Sequence, residues 1–187
     1  MHDSASKYLI LPGQGTKASS HTTTKVAASQ LSDDYSVMEI TMDARALLTP
    51  HLHDAADQVV VVLAGELEFE VGGEGGVRFT APTGSYVYKP RRVQHSFWNA
   101  TDRTARYIEL SGGASFQGFV DSTAEKGNMT AADESGRYGV HFFYDRIPKM
   151  MLEHRLLRIA GMEEPWEELR RLSPKVLLEM LRRRITA

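Results

Sequence analysis

The chain has 187 residues, 42% of them hydrophobic, and a formal net charge of −2 at pH 7. Such a chain can bury a sizeable core, which predicts one domain with an appendage. The absence of cysteine excludes disulfides, thiolate ligands and a cysteine nucleophile. The balance of 22 basic and 24 acidic residues gives no indication of nucleic-acid binding. There is neither an apolar run long enough to span a membrane nor a secretory signal pattern, so we expect a cytoplasmic protein that acts on a small molecule.

Residues 1–34 form a polar N-terminal segment rich in Ser, Thr and Gly. Its apolar run Tyr8–Leu11 predicts an edge strand, since short runs of such residues fit the rim of a sheet. We expect the rest of this segment to be irregular.

Residues 35–112 carry the pattern of short antiparallel strands. Apolar and polar residues alternate from Tyr35 to Asp43 and again over 66–71, where a glycine-rich turn at 72–76 follows. Further strands are predicted at 58–63, 77–81, 85–89, 95–99 and 106–110. Strands punctuated this regularly predict an all-β unit, either a closed barrel or a sandwich.

The alternation fails in the C-terminal third. Residues 113–146 mix Gly, Ser and acidic groups with aromatic residues, and we treat them as a connecting segment without an assigned structure. The period then becomes helical, which predicts a C-terminal helical extension over 147–187. We expect one helix to end at Gly161, a second to span Glu163–Leu172 and a third to begin at Pro174. Their apolar stripes suit either a cover over a barrel mouth or contact with a second subunit.

Three histidines carry the strongest functional signal. His51 and His53 are two residues apart, so on an extended strand their imidazoles project from the same face. His95 lies several strand-like runs later, at a separation that a rolled antiparallel sheet can return to the same point. Three neutral imidazoles are a sound ligand set for a divalent transition metal ion, and we therefore predict a metal site at these residues.

The spacing around these histidines is similar to a known pair of motifs. The first is His51, His53, Gln58 and Gly65, and the second is Gly84, Pro90, His95 and Asn99. Over residues 35–112 these motifs resemble those of the cupin superfamily, with Gln58 where Glu is usual and Arg92 where Gly is usual. With the later segment 137–140, the order of elements looks most like small single-domain proteins related to quercetin dioxygenase.

This resemblance implies an all-β fold, a cupin-type jelly-roll β-barrel with the helices as an extension, and a homodimer. It also implies that His51, His53 and His95 hold one divalent ion (iron, manganese, nickel, copper or zinc), with Gln58 in the place of the fourth ligand. A Gln amide is neutral, so such a site would keep the full charge of the ion. Alternatively, the Gln58 amide simply hydrogen-bonds to a neighbouring strand.

Strand parity gives candidate catalytic groups, but it leaves the choice open. Tyr86 and Tyr88 share one face of their strand, while Tyr107 and Glu109 share one face of theirs. Either pair, with Tyr88, Tyr107 and Glu109 as the main candidates, can supply an acid, a base or a hydrogen-bond donor beside the ion.

Two classes of function fit these residues. The first is a metal-dependent dioxygenase acting on a small aromatic or enol-bearing substrate. The second is a non-oxidative protein, either a lyase or isomerase that uses the ion as a Lewis acid, or a small-molecule binding module without turnover.

Overall fold

The computed structural model describes residues 7–126, 131–162 and 164–184, in which two β-sheets face each other and helices pack around them. The strands are β1 Thr16–Lys17, β2 Thr22–Val26, β3 Tyr35–Met42, β4 Ala46–His53, β5 Gln58–Ala64, β6 Glu66–Val71, β7 Val77–Pro82, β8 Tyr86–Lys89, β9 His95–Trp98, β10 Ala105–Gly112, β11 Val140–Phe142 and β12 Arg158–Ile159. The helices are α1 Ser115–Lys126, α2 Ala131–Arg137, α3 Ile147–Glu153, α4 Trp166–Leu169 and α5 Pro174–Arg184.

The strands form two separate sheets. The first has the order β1-β2-β3-β10-β5-β8, and the second has the order β11-β4-β9-β6-β7, with β12 added in parallel to β4. Over the described ranges no strand ladder joins one sheet to the other. Of the two predicted forms the structure has the sandwich of two sheets, so the barrel that the resemblance implies is not closed, and the arrangement is consistent with a jelly roll.

The strand predictions within residues 35–112 are confirmed to within a few residues. Alternation places one face of each strand in the space between the sheets, because successive side chains point to opposite faces. The inner core includes Met38, Ile40, Val60, Val62, Leu67, Phe69, Phe97 and Tyr107, all buried. This core supports the inner faces on which the histidines lie.

The C-terminal helices pack on the outer face of the second sheet. Leu47 of β4 and Trp98 of β9 point away from the inner core and pack with residues of the C-terminal segment. That second cluster contains Ile147, Met150, Met151, Leu156, Ile159, Met162, Leu169, Leu177 and Leu181. The helical extension thus covers a sheet face rather than a barrel mouth. Contact of these helices with a second subunit stays a prediction.

The first predicted C-terminal helix is shorter than expected. Helix α3 ends at Glu153 rather than at Gly161, and Arg155 adopts a left-handed conformation with φ of 52°. The backbone N–H groups of Leu157 and Arg158 then donate to the carbonyl of Arg45, which extends the chain into β12. Tertiary hydrogen bonds therefore override the helical period here.

The other two helix predictions differ in accuracy. The second helix is limited to the single turn α4, and its expected start at Glu163 lies outside the described residues. The third helix begins at Pro174, as predicted.

The connecting segment is mostly helical. It forms α1 and α2, after which β11 pairs with β4 and lies beside the predicted histidines. Phe116, Phe119 and Val120 of α1 are buried against the inner core. Helix α1 therefore covers one mouth of the sandwich.

The edge strand predicted at Tyr8–Leu11 is not formed. Tyr8, Leu9 and Leu11 are 80%, 55% and 49% exposed, and no strand includes them. The edge of the first sheet is instead built by β1 and by β2, whose sequence TTTKV is rich in β-branched residues that fit a sheet. No helix within the described ranges is long and apolar enough to cross a membrane.

Candidate metal centre

A break in the alternation of β4 brings its two histidines into the interior. Ala46 and Leu48 face the inner core, so strict alternation would send His51 outward. The pairing of β4 with β9 shifts register between Leu48 and His51, as in a β-bulge. After this shift His51 and His53 are 4% and 2% exposed.

The third histidine meets them from the neighbouring strand. His95 begins β9 and pairs directly with His51 across the ladder. Its Nε2 atom lies 3.2 Å from Nε2 of His51. One nitrogen of each of the three rings lies within 4.8 Å of the others. The predicted convergence of His51, His53 and His95 is therefore present in the structure.

Backbone carbonyls fix the tautomers of two rings. His51 Nδ1 lies 2.7 Å from the carbonyl of Thr49, and His95 Nδ1 lies 3.0 Å from the carbonyl of Val93. A carbonyl only accepts, so each Nδ1 carries the proton and each Nε2 presents a lone pair. Backbone partners of this kind orient metal-binding imidazoles in proteins.

Burial keeps the three imidazoles neutral. Desolvation, with the charge of the nearby Lys89 cation as the second cause, lowers the pKa of His51 to about 3. Desolvation, followed by the charge of His51, also lowers the pKa of His53 and of His95 well below their usual range. Neutral imidazole is the form that binds a metal ion, so the protein needs no proton release from these rings near pH 7.

These residues fit a divalent transition metal ion. Two Nε2 lone pairs that face each other at 3.2 Å repel unless a cation or a proton lies between them. In addition, Nε2 of His53 is buried and has no hydrogen-bond partner among the described residues. A cation bound by all three nitrogens would satisfy these atoms together.

Gln58 lies beside this cluster on β5. Its Nε2 donates to Glu109 Oε1 at 2.6 Å and to Ser111 Oγ at 2.8 Å, so the amide does bond to the neighbouring strand β10. Its Oε1 is buried and has no hydrogen-bond partner in the part of the chain that the structure describes. The Gln58 amide acts to raise the pKa of the nearby His53 imidazole, against the larger lowering effect of burial. The free oxygen leaves the prediction of a fourth ligand open.

A buried ion pair, which sequence reasoning missed, supports Gln58. Lys89 is 0% exposed, and its Nζ lies 3.1 Å from Oε2 of Glu109. Burial lowers the pKa of Lys89, while the charge and hydrogen bond of Glu109 act to raise it. Strand alternation could have revealed the burial of Lys89, because this residue lies on the same inward face of β8 as the core residue Val87.

The candidate catalytic residues divide between two locations. Tyr107 and Glu109 point into the interior, which is one of the two alternatives that strand alternation left open. Tyr88 is 59% exposed, and its hydroxyl donates to Asp57 at 3.4 Å on the outer surface. The prediction that Tyr88 acts beside the ion is therefore corrected, since β8 turns both of its tyrosines to the outer face. Burial, with the Glu109 charge second, raises the pKa of Tyr107 well above its usual range.

An aromatic wall closes the site. The Phe116 and His53 ring centroids lie 4.9 Å apart, and those of Phe142 and His51 lie 5.7 Å apart. Beside them is a cavity of about 20 Å³, room for about one water molecule. Its lining includes Thr49, His51, Tyr107, Glu109, Phe116, Phe119 and Phe142. A larger molecule can enter only if α1 or its neighbours move.

Arg92, the unusual residue of the second predicted motif, is hydrogen-bonded to the first motif. Arg92 has a φ of 62°, the left-handed region that favours glycine. Its backbone N–H donates to the carbonyl of His53 at 2.7 Å. Arg92 adopts this left-handed backbone conformation. Its hydrogen bond to His53 joins the loop before His95 to the end of β4.

A comparison with protein families finds a match in the β-strand region. Residues 38–111 match the family model described as the cupin domain, and this range contains the three histidines, Gln58 and Glu109. The search of curated proteins found no match.

Solved structures with partial similarity come from several organisms. KdgF from Halomonas sp. is 20% identical, with 54% of this chain and 84% of that chain covered and a TM-score of 0.44. A protein described as a predicted oxalate decarboxylase from Thermotoga maritima is 12% identical, with coverages of 49% and 78% and a TM-score of 0.46. The polyketide cyclase RemF from Streptomyces resistomycificus is 18% identical, with coverages of 49% and 63% and a TM-score of 0.43.

Proposed function

We propose that this protein is a metal-dependent dioxygenase of the cupin type that acts on a small aromatic or enol-bearing molecule. The observation that carries the proposal is the convergence of one nitrogen from each of His51, His53 and His95 within 4.8 Å, in a buried site. When bound there, a divalent transition metal ion would supply a Lewis-acid centre with open coordination positions for a substrate oxygen and dioxygen.

The walls of the cavity favour an apolar, flat substrate. Phe116, Phe119 and Phe142 present aromatic surface beside the imidazoles. Aromatic rings pack well against one another in offset or edge-to-face arrangements, so such walls suit an aromatic or conjugated ligand. The enclosed site would also exclude water from reactive species.

Two polar side chains of the same cavity are suited to handle protons. Tyr107 keeps its proton because its pKa is raised, so its hydroxyl can donate a hydrogen bond to a substrate oxygen. Glu109 lines the cavity with a carboxylate that is already paired with Lys89. The Glu109 carboxylate would therefore accept a proton from a substrate hydroxyl, while Lys89 balances the charge of the carboxylate.

Oxygen consumption tests this proposal directly. Protein loaded separately with iron, manganese, nickel or copper is mixed with a flavonol or a diketone, while an electrode follows dissolved oxygen. We expect oxygen uptake in step with substrate loss for at least one ion, and none for the His95→Ala variant. Substrate loss at the same rate without oxygen would contradict the dioxygenase proposal.

A lyase or isomerase is the second candidate, and one observation favours it. Because Gln58 is neutral, the site would keep the full charge of the ion, which suits polarisation of a carbonyl or carboxylate. The buried Lys89 and Glu109 pair would then supply the acid and the base. Turnover under anaerobic conditions supports this candidate, and substrate binding without any turnover supports a binding module.

A further inference from the structure

We infer that Glu109, held by Lys89, is a positioning residue that turns the carbonyl oxygen of Gln58 toward the three imidazoles. The same arrangement requires an uncharged side chain at position 58 as long as Glu109 is present. It rests on the metal-binding part of the proposed function and is independent of the dioxygenase part.

Cross-strand register places the participating side chains side by side. Gln58 of β5 pairs with Ser111 of β10 on one side and with Lys89 of β8 on the other. Glu109 lies two residues from Ser111 and therefore on the same inward face of β10. Three adjacent strands thus contribute one continuous polar group to an otherwise apolar interior.

The hydrogen bonds of this group determine which way the amide points. Both N–H groups of Gln58 are engaged, one by Glu109 Oε1 at 2.6 Å and one by Ser111 Oγ at 2.8 Å. Rotating the amide by 180° would place its carbonyl oxygen against the Glu109 carboxylate, where two acceptors repel. The carboxylate therefore selects the orientation in which Oε1 remains free. That oxygen and Nε2 of His53 are both buried and have no hydrogen-bond partner among the described residues, so one bound cation would satisfy both atoms.

The ion pair explains why Glu109 can serve as this acceptor. Lys89 and Glu109 are 0% and 3% exposed, and a buried charge needs a partner. With Oε2 bound to Lys89 and Oε1 bound to Gln58, each carboxylate oxygen has a specific donor. A Glu at position 58 would instead set two carboxylates against each other at hydrogen-bond distance.

A charge exchange between positions 58 and 109 tests the inference. Affinity for Zn²⁺ and Ni²⁺ is measured by competition with a chromophoric chelator for wild type, Gln58→Glu, Glu109→Gln and the double variant. We expect Glu109→Gln to bind about tenfold to a hundredfold more weakly, as is typical when a residue that orients a ligand is changed. The double variant keeps one carboxylate and one amide, and we expect it to bind at least as tightly as wild type.

Non-additivity is the decisive result. We expect Gln58→Glu alone to bind at least about tenfold more weakly than the double variant, because only the latter removes the opposing carboxylate. Equal affinity of these two proteins would overturn the inference, and so would wild-type affinity in Glu109→Gln. Since these measurements use no substrate and follow no turnover, failure of the dioxygenase proposal leaves their outcomes unchanged.

Two further variants guard against a general loss of folding. Ser111→Ala removes one acceptor of the amide and leaves the buried charges paired, so a several-fold weaker affinity is expected, and an unchanged affinity would count against the positioning network. Glu39→Gln is the matched control, since Glu39 lies on the adjacent strand β3 but pairs with Arg106 at the surface. We expect its affinity to equal that of wild type.

A spectroscopic readout separates positioning from bulk stability. Co²⁺ reports the number and kind of its ligands through its visible absorption bands. We expect these bands to change in Glu109→Gln and to return toward the wild-type pattern in the double variant. Identical bands in wild type and in Glu109→Gln would show that the amide does not depend on Glu109.

Discussion

The Nε2 atoms of His51 and His95 lie 3.2 Å apart, and each ring has its other nitrogen beside a backbone carbonyl. The backbone thereby directs both lone pairs toward one point in the buried interior. Burying two acceptors face to face is unfavourable, and a bound cation removes the conflict. The geometry is therefore that of a site prepared for an ion.

Replacing His95 is the most direct test of the ligand set. We expect wild-type protein to retain up to one transition metal ion per chain, and His95→Ala to lose about a hundredfold or more in affinity because one of three nitrogen donors is removed. Elemental analysis of both proteins after identical purification measures this difference.

A histidine outside the cluster provides the control for that experiment. His141 lies on β11 and pairs with Asp54 at the surface, so His141→Ala should retain the wild-type amount of metal. Equal metal content in His95→Ala and wild type would show that the ion binds elsewhere.

Stability of the metal-free protein should fall with acidity. The pKa of His51 is lowered to about 3, so between that pH and about 6.5 the unfolded chain binds a proton that the folded chain does not. The free energy of unfolding should therefore decrease by about 1.4 kcal/mol for each pH unit below about 6.5 on account of this residue alone. His53 and His95 act in the same direction.

Urea denaturation at pH 7, 6 and 5 in the presence of a chelator measures this slope. His51→Asn removes one of the titrating groups, so its stability should depend less steeply on pH than that of wild type. If the two slopes coincide, the folded protein does not keep His51 neutral.

Much of the site could be predicted from the sequence because it depends on short-range periodicity. Two histidines one residue apart on a strand must share a face, and the regular turns around them predicted the sheet that carries His95. The sequence could not reveal the bulge between Leu48 and His51, which decides that the shared face is the inner one. A bulge depends on pairing with β9 and leaves little signal in its own strand.

The polar support of the site was harder to predict for another reason. Lys89 ends an alternating strand, and an isolated lysine is usually a surface residue because burial of its charge is costly. Only the position of Glu109 on a strand two neighbours away makes that burial acceptable. The cover was missed as well, since α1 is stabilised by its packing on the core rather than by strong helical periodicity.

Breaking the buried ion pair should destabilise the protein strongly. Lys89→Met leaves the Glu109 carboxylate without its cation, and loss of one partner of a buried pair costs about 3 to 5 kcal/mol. Adding Glu109→Gln removes the orphaned charge, so the double variant should recover most of that loss. Guanidinium denaturation of wild type, Lys89→Met, Glu109→Gln and the double variant measures the effect, and additive losses in the double variant would contradict the pairing.

The aromatic cover on α1 should control how fast an ion leaves the site. Phe116 is 7% exposed and its ring contacts His53, so Phe116→Ala would open a path from solvent to the imidazoles. We expect metal-loaded Phe116→Ala to lose its ion to excess EDTA about tenfold faster than wild type, together with a stability cost of about 3 to 5 kcal/mol. Phe79→Ala is the control, since Phe79 is 39% exposed on β7 and does not line the cavity. Equal rates for Phe116→Ala and wild type would mean that the ion leaves by another route and that α1 is not the cover of this site.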